Sequence, residues 1–390
     1  MSALVADRVA AVVAAAQTLL AKRMGGRVKL VDPVELGGSG RTTVLRVRVA
    51  DNSYSLPRTL IVKQSRISAG EQSAAGSEPG VASIDSAFLR EAVSYQFATA
   101  LARDHRPGPD LLAHDLDERL LILTDLGAGV RMTSVLRGND ESIAENSLMA
   151  FAQALGRMHA ATVGRESDFV ALLRRAELAH HTDAVAAQAK VAVARVPKLL
   201  EQNLGIAVPD EVLEASRRCE LLFTNGRLRA FSPSDLCPDN VIVNDDGVRF
   251  LDYEWGGFRD ASLDIAYALV SFPGCLCHVE LPADRAQAMI EAWRSEVVGV
   301  WPFLADDATL QRKMLNAQLA WVWLTTDWFL PDDHARIAAV REHGMSVPRS
   351  VALLSRWAAL AETAAAAENS AIADFAESVT SALETRWSLS

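Results

Sequence analysis

Three polar side chains between residues 232 and 255, in SPSDLCPDNVIVNDDGVRFLDYEW, have the types and spacing of a reacting site. Asp235 precedes Asn240 by five positions, and Asp252 closes the second of two short apolar runs joined at the turn NDDG. A carboxylate beside a hydroxyl can take its proton, while a carboxamide and a second carboxylate are hard oxygen ligands suited to magnesium. Phosphoryl transfer needs those three groups together. Solvated acids on a polar turn are the competing reading. Against it, these groups stand at the ends of largely apolar strands, where a cleft is expected.

Groups elsewhere in the chain fit the same chemistry. In ELGGSGRTT, Gly37, Gly38, Ser39 and Gly40 form a turn between two predicted strands, and its glycines would let backbone N–H groups approach a phosphate. It is not a P-loop, because Arg41-Thr42 opens a strand rather than a helix. Lys63 ends the apolar run TLIVK, and Glu91 lies on a predicted helix whose neighbours Phe88, Ala92 and Tyr95 mark an inward face. A lysine held by a helix glutamate is how protein kinases place the α- and β-phosphates of ATP. Each feature alone has an ordinary explanation. Their order along the chain (glycine turn, lysine, glutamate, Asp-x4-Asn, Asp) is far more specific.

The elements that must position these groups follow from periodicity. Residues 5–23 read as an amphipathic or buried helix, with neither the cleavage site of a signal peptide nor the length of a span. Residues 28–66 alternate apolar and polar and predict about three strands, followed by a long polar loop over 67–82. A helix over 83–102 and two strands in LLAHDLDERLLILTDL complete the first part. From about 140 the pattern is helical, broken only by strand-like pieces at 228–255, with helices expected over 262–272, 284–299, 309–330, 334–342 and 349–385. Strands first, one helix among them, then helices around a polar hairpin define an α+β, two-lobed arrangement with its ligands in the cleft between lobes. The chain has 390 residues, a net charge of -10 and a pI near 5.4, which disfavour nucleic acid as a partner. Its four cysteines are too few for a disulfide scaffold and fit a reducing, cytoplasmic setting. CLCH at 275–278 lacks the gap and second pair of a zinc site and reads as a buried corner. No stretch is apolar enough for a membrane helix.

With these residues assembled, the sequence resembles the aminoglycoside phosphotransferase and choline kinase family, whose members share a protein-kinase-like fold. The family pattern His-Gly-Asp-x4-Asn, Ile-Asp-aromatic-Glu, Gly-Asp-Pro-x-x-Asp-Leu-Ala is matched by PSDLCPDN (233–240), LDYE (251–254) and RDASLDIA (259–266). ALGRMHAAT (154–162) resembles the helix that precedes the site, and the resemblance spans roughly 30–330. It implies a small antiparallel N-lobe over 1–126 that binds the nucleotide, and a helical catalytic and acceptor-binding lobe over 127–390. It implies Asp235 as catalytic base, Asn240 and Asp252 as Mg2+ ligands, and Lys63 with Glu91 on the phosphates of ATP or GTP. The 37–40 turn would cover the phosphates, Thr124, Asp125 and Leu126 would meet the base, and Asp264 would anchor the loop. Two departures stand out: Pro233 replaces the family histidine and Ser234 the glycine. That histidine is a brace rather than the base, so an active kinase is expected, with a nucleotide-binding scaffold as the alternative.

The acceptor is read from the acids beyond Asp252 and from the helical part. Glu254 and Asp260, with Trp321, Asp327 and Trp328 in LAWVWLTTDWFLPDDH, suggest a hydroxylated small molecule bearing an amine, since indole faces beside acids suit a cation. Trp at helical spacing is equally a core pattern. Amino sugars, aminoglycosides and amino alcohols fit the acidic reading; non-cationic sugars and nucleosides stay open.

Overall fold

Strand alternation decides which side chains of the first lobe meet the cleft. The computed structural model describes residues 3–37, 42–50, 54–65, 84–177, 183–271, 281–330 and 348–388. After α1 (Ala3–Met24), the strands β1 (Leu30–Gly37), β2 (Thr42–Val49) and β3 (Thr59–Ser65) form an antiparallel meander. Then come α2 (Ile84–Thr99), β4 (Leu111–Asp115) and β5 (Leu120–Thr124), giving a five-stranded sheet of order β1-β2-β3-β5-β4. Leu45, Val47, Leu60 and Val62 point to one face and share an apolar cluster with Val12, Ala16 and Leu20 of α1. Each such buried side chain contributes on the order of 2 kcal/mol. With a period of two, Val44, Arg46, Ile61 and Lys63 must face the other way, and all four line the cleft. The helix expected at the N-terminus is therefore the cover of this sheet.

The second lobe is helical: α3 (Met132–Leu136), α4 (Glu141–Thr162), α5 (Glu166–Arg175), α6 (Ala184–Leu204), α7 (Asp210–Glu220), α8 (Ser262–Ser271), α9 (Ala283–Val297), α10 (Asp307–Phe329), α11 (Arg349–Ala366) and α12 (Ser370–Ser388). Two small sheets interrupt it. One pairs β7 (Arg229–Ser232) with β10 (Gly257–Asp260), and the other joins β6 (Val130–Arg131), β8 (Val241–Asn244) and β9 (Gly247–Phe250). One apolar cluster ties α2, α4 and α9 beneath the hairpin β8–β9, and another holds α6, α7, α10, α11 and α12. The architecture is the α+β, two-lobed one that the sequence predicts. Among the described residues no helix is long and apolar enough to cross a membrane.

The differences are local. The single helix expected over 349–385 is two, because Glu368 adopts φ of 55° and Asn369 caps the next helix by accepting from the Ile372 N–H at 3.1 Å. The strands β6 and β10 fall where helix or loop was expected; each gains its ladder only from a distant partner, which no local pattern records. The polar loop over 67–82, the helix over 334–342 and the CLCH stretch lie outside the described residues, and Cys219 and Cys237 are buried.

Candidate active site

Lys63 reaches the cleft because it is in phase with Ile61 on β3, opposite the buried Leu60 and Val62. Its Nζ lies 2.7 Å from Glu91 Oε1 and 2.7 Å from Asp252 Oδ1. Glu91 arrives from α2 with only 2% of its side chain exposed, whereas the Asp252 carboxylate stays 37% exposed toward the cleft. One turn along α2, the Tyr95 hydroxyl accepts the Asp252 backbone N–H at 3.1 Å, and its ring stacks on Tyr253 at 4.8 Å. Asp252 sits at φ of 61°, sparsely populated for a residue with a Cβ, and these contacts hold it there. Burial pushes the Glu91 carboxyl up to about 8, with the Asp252 and Glu254 charges adding to the shift and the Lys63 charge opposing it. Burial alone would lower Lys63, but Asp252 and Glu91 outweigh it, so the ammonium stays protonated far into the alkaline range.

Gly37, Lys63, Thr124, Asp125, Leu126, Asn240, Asp252 and Glu254 all line one cavity of about 340 Å³. Gly38, Ser39 and Gly40 lie outside the described residues. The segment after β5 is held more firmly than its sequence suggests. Asp125 is ion-paired with Arg46 at 2.8 Å and accepts the Gly127 N–H at 3.0 Å, while the Leu126 carbonyl accepts from Asn244 Nδ2 at 2.8 Å. Arg46 and Asn244 are the residues that sequence reasoning missed. Arg46 was findable, since it alternates with buried Leu45 and Val47; Asn244 was not, since it meets Leu126 only through the β6–β8 pairing.

Asp235 is not among the residues that line this cavity. Its N–H donates to the Pro233 carbonyl at 2.9 Å across Ser234, whose φ is 68°, a three-residue turn that is rare and strained. Asp235 Oδ1 accepts from the Cys237 N–H at 3.3 Å and the Tyr267 hydroxyl at 3.4 Å. The loop is braced from below by a buried chain of hydrogen bonds. Trp293 Nε1–H donates to His159 Nδ1 at 3.0 Å, which leaves the imidazole proton on Nε2 to donate to Asp264 Oδ2 at 2.9 Å. Asp264 Oδ1 accepts from Ser232 Oγ at 2.6 Å, one residue before Pro233. His159 and Asp264 are both wholly inaccessible. A histidine therefore supports this loop from α4 in a chain that has proline in the loop itself.

Four of the residues read from sequence as facing an acceptor are not brought to the cavity. Asp260 is fully buried; it accepts from Ser262 Oγ at 2.5 Å and the Leu228 N–H at 3.3 Å, so it pins the start of α8. Trp321 donates its Nε1–H to the Leu263 carbonyl at 2.7 Å and meets Tyr267 edge-on, which makes it a wall behind the Tyr267–Asp235 contact. Asp327 is buried with its carboxylate 3.4 Å from Arg195, and Trp328 packs on Phe329. Trp321 shows a core pattern: in α10, a helix buried nearly all round, its indole meets other elements rather than solvent, while Trp328 is half-buried against the same apolar cluster. Glu254 is the one acid of this group that lines the cavity.

The class that this geometry defines is a two-lobed protein whose cleft joins a lysine–glutamate pair to an Asp/Asn hairpin. No protein-family profile and no curated protein matches the chain. Solved structures similar to it include a choline/ethanolamine kinase family protein from Mesorhizobium loti (12% identity, 94% of this chain and 99% of that one, TM-score 0.45). A choline kinase from Streptococcus pneumoniae is 14% identical over 87% of this chain and 99% of its own, with a TM-score of 0.46. An ADP-bound aminoglycoside phosphotransferase is 12% identical over 85% of this chain and 96% of its own, also at 0.46. At these values the functional reading rests on the residues of this chain.

Proposed function

We propose that the protein is a small-molecule kinase that moves the γ-phosphoryl group of ATP to a hydroxyl. The observation that carries this is Lys63 bridging Glu91 and Asp252 at a cavity that Asn240 also lines. The residues fit a magnesium nucleotide. Among the described residues no group of three His, Cys, Asp or Glu converges on a metal site, but Mg2+ beside phosphates needs only one or two carboxylates and keeps water or phosphate oxygens for the rest. Asp252 and Asn240 would hold it, and when bound it neutralises charge building on the phosphates. Lys63, kept protonated by its two carboxylates, binds and orients phosphate oxygens. Leu126 and the chain around it flank the base, with Arg46 and Asn244 fixing their position. Asp235 Oδ1, steadied by the Tyr267 hydroxyl, takes the proton of the acceptor hydroxyl. Glu254 in the cavity wall supports an acceptor bearing an amine, and the tryptophans of α10 do not add to that support.

A second reading, a nucleotide-binding scaffold, is favoured by one observation: Asp235 accepts hydrogen bonds from the Cys237 N–H and the Tyr267 hydroxyl and is not among the residues that line the cavity. Calorimetric titration of ATP with and without Mg2+ tests the binding half of the proposal. We expect Mg2+ to tighten ATP binding, and Asp252→Ala and Asn240→Ala to abolish the Mg2+ effect while leaving Mg2+-free ATP bound. No ATP binding, or a Mg2+ effect that survives both substitutions, contradicts the assignment.

A further inference from the structure

The face of α2 next to the one that holds Lys63 is itself held, and by a part of the chain remote in sequence. Glu91 and Tyr95, four residues apart, form the face that meets Lys63 and Asp252. Arg90 and Ser94 form the neighbouring face, and it meets the chain just past Asp252. Arg90 Nη1 donates to the Gly256 carbonyl at 3.4 Å, and a Cβ on Gly256 would lie 2.3 Å from Ser94 Oγ, so only glycine permits this approach. Arg259 Nη2, in a side chain with no exposed surface, donates to the Trp255 carbonyl at 2.8 Å. Both guanidinium groups converge on Asp183, with Oδ2 2.5 Å from Arg259 Nη2 and 3.7 Å from Arg90 Nη1. A Cβ on Gly257 would come within 3.0 Å of the same Asp183 oxygen. Asp183 is itself fixed, because its Oδ1 caps α6 by accepting from the N–H groups of Val185 and Ala186 at 3.0 and 3.1 Å.

We infer that Asp183 is a positioning residue for the phosphate-binding machinery. Through Arg90 it sets the rotation of α2 about its own axis, and hence where Glu91 and Tyr95 stand. Through Arg259 it holds the Trp255 carbonyl, three residues from the metal-binding Asp252. One carboxylate thus makes α2 and the Asp252 segment a single unit. The arrangement is charge-limited: two buried guanidinium groups share one acid, and among the described residues Arg259 Nε and Nη1 have no other acceptor. Removing the acid therefore leaves two cations facing each other, which drives Arg90, and α2 with it, away.

This inference rests on the proposed nucleotide site for its consequence, but not for its mechanics, and the test separates the two. Hydrogen exchange is followed in the full chain without nucleotide, and Mg-ATP affinity by titration, for the wild type, Asp183→Asn, Arg90→Met and Asp306→Ala. Arg90→Met cuts the α2 arm while keeping the Asp183–Arg259 pair, so it stays informative if Asp183→Asn folds poorly. Asp306→Ala removes the N-cap of α10, which is not among the residues lining the cavity. We expect amides of 84–99 to exchange at least about tenfold faster in Asp183→Asn and Arg90→Met, with Mg-ATP affinity falling about tenfold, and neither to change in Asp306→Ala. Unchanged α2 exchange in Arg90→Met, or acceleration spread evenly over the whole chain, overturns the inference. If the wild type binds no nucleotide, the kinase proposal falls and the exchange result alone decides the role of Asp183.

Discussion

Lys63 stands 2.7 Å from each of two carboxylates, so one cation balances two acids until a proton or a metal joins them. Replacing it with methionine is predicted to weaken Mg-ATP binding or turnover by about a hundredfold while leaving the fold intact, measured by titration alongside circular dichroism. The proton belongs to Glu91, raised by burial from an ordinary 4.5 to about 8. A carboxyl whose folded pKa exceeds its unfolded value binds protons more tightly in the folded protein. Its stabilising contribution is therefore complete below pH 4.5 and is lost as the pH rises through about 8. Denaturant unfolding across this range should show stability falling with pH in the wild type and a flatter curve in Glu91→Gln; equal slopes would show that Glu91 holds no such proton. At this scale the sequence was legible where chemistry is local. Lys63, Glu91, Asn240 and Asp252 could be found from strand ends and spacing. Asn244, Tyr267 and Asp183 act on residues more than twenty positions away, and no window along the chain contains both partners.

Among the elements, the strands of the first lobe were read well because a two-residue period leaves a clear mark when one face is buried against α1. Helices in the second lobe were harder. α10 is buried nearly all round, so its tryptophans carry no mark separating core from ligand, and Trp321 and Asp327 were read as pocket residues for that reason. The break between α11 and α12 has its own test. Glu368 is exposed at φ of 55°, where a Cβ is unfavourable. Glu368→Gly should raise stability by about 0.5–1 kcal/mol, read from the denaturant midpoint at unchanged slope. A loss of that size would mean the turn is held by the glutamate side chain.

Over the whole molecule, one apolar cluster runs from α2 and β5 into the second lobe, and the loop bearing Asp235 depends on support from beneath. Asp264 accepts from both Ser232 and His159, with His159 fixed in turn by Trp293, so α4, α8, α9 and the loop are joined by one buried carboxylate. Asp264→Ala strands two donors at once and should cost about 3 kcal/mol or more in unfolding free energy. A loss below about 1 kcal/mol would show that the loop is held by other means. The sequence pointed to Asp264 as the anchor of the loop, but its partners His159 and Trp293 arrive from α4 and α9 and meet it only in three dimensions.

The most direct measurement is phosphoryl transfer resolved by product. Wild-type protein and Asp235→Asn are incubated with Mg-ATP and a panel of hydroxylated amines, sugars and nucleosides, with acceptor mass and ADP read together. A phosphorylated acceptor from the wild type, and at least about a thousandfold less from Asp235→Asn at unchanged ATP affinity, is the predicted result. Undiminished transfer by Asp235→Asn, or ATP bound with no acceptor phosphorylated across the panel, would contradict it.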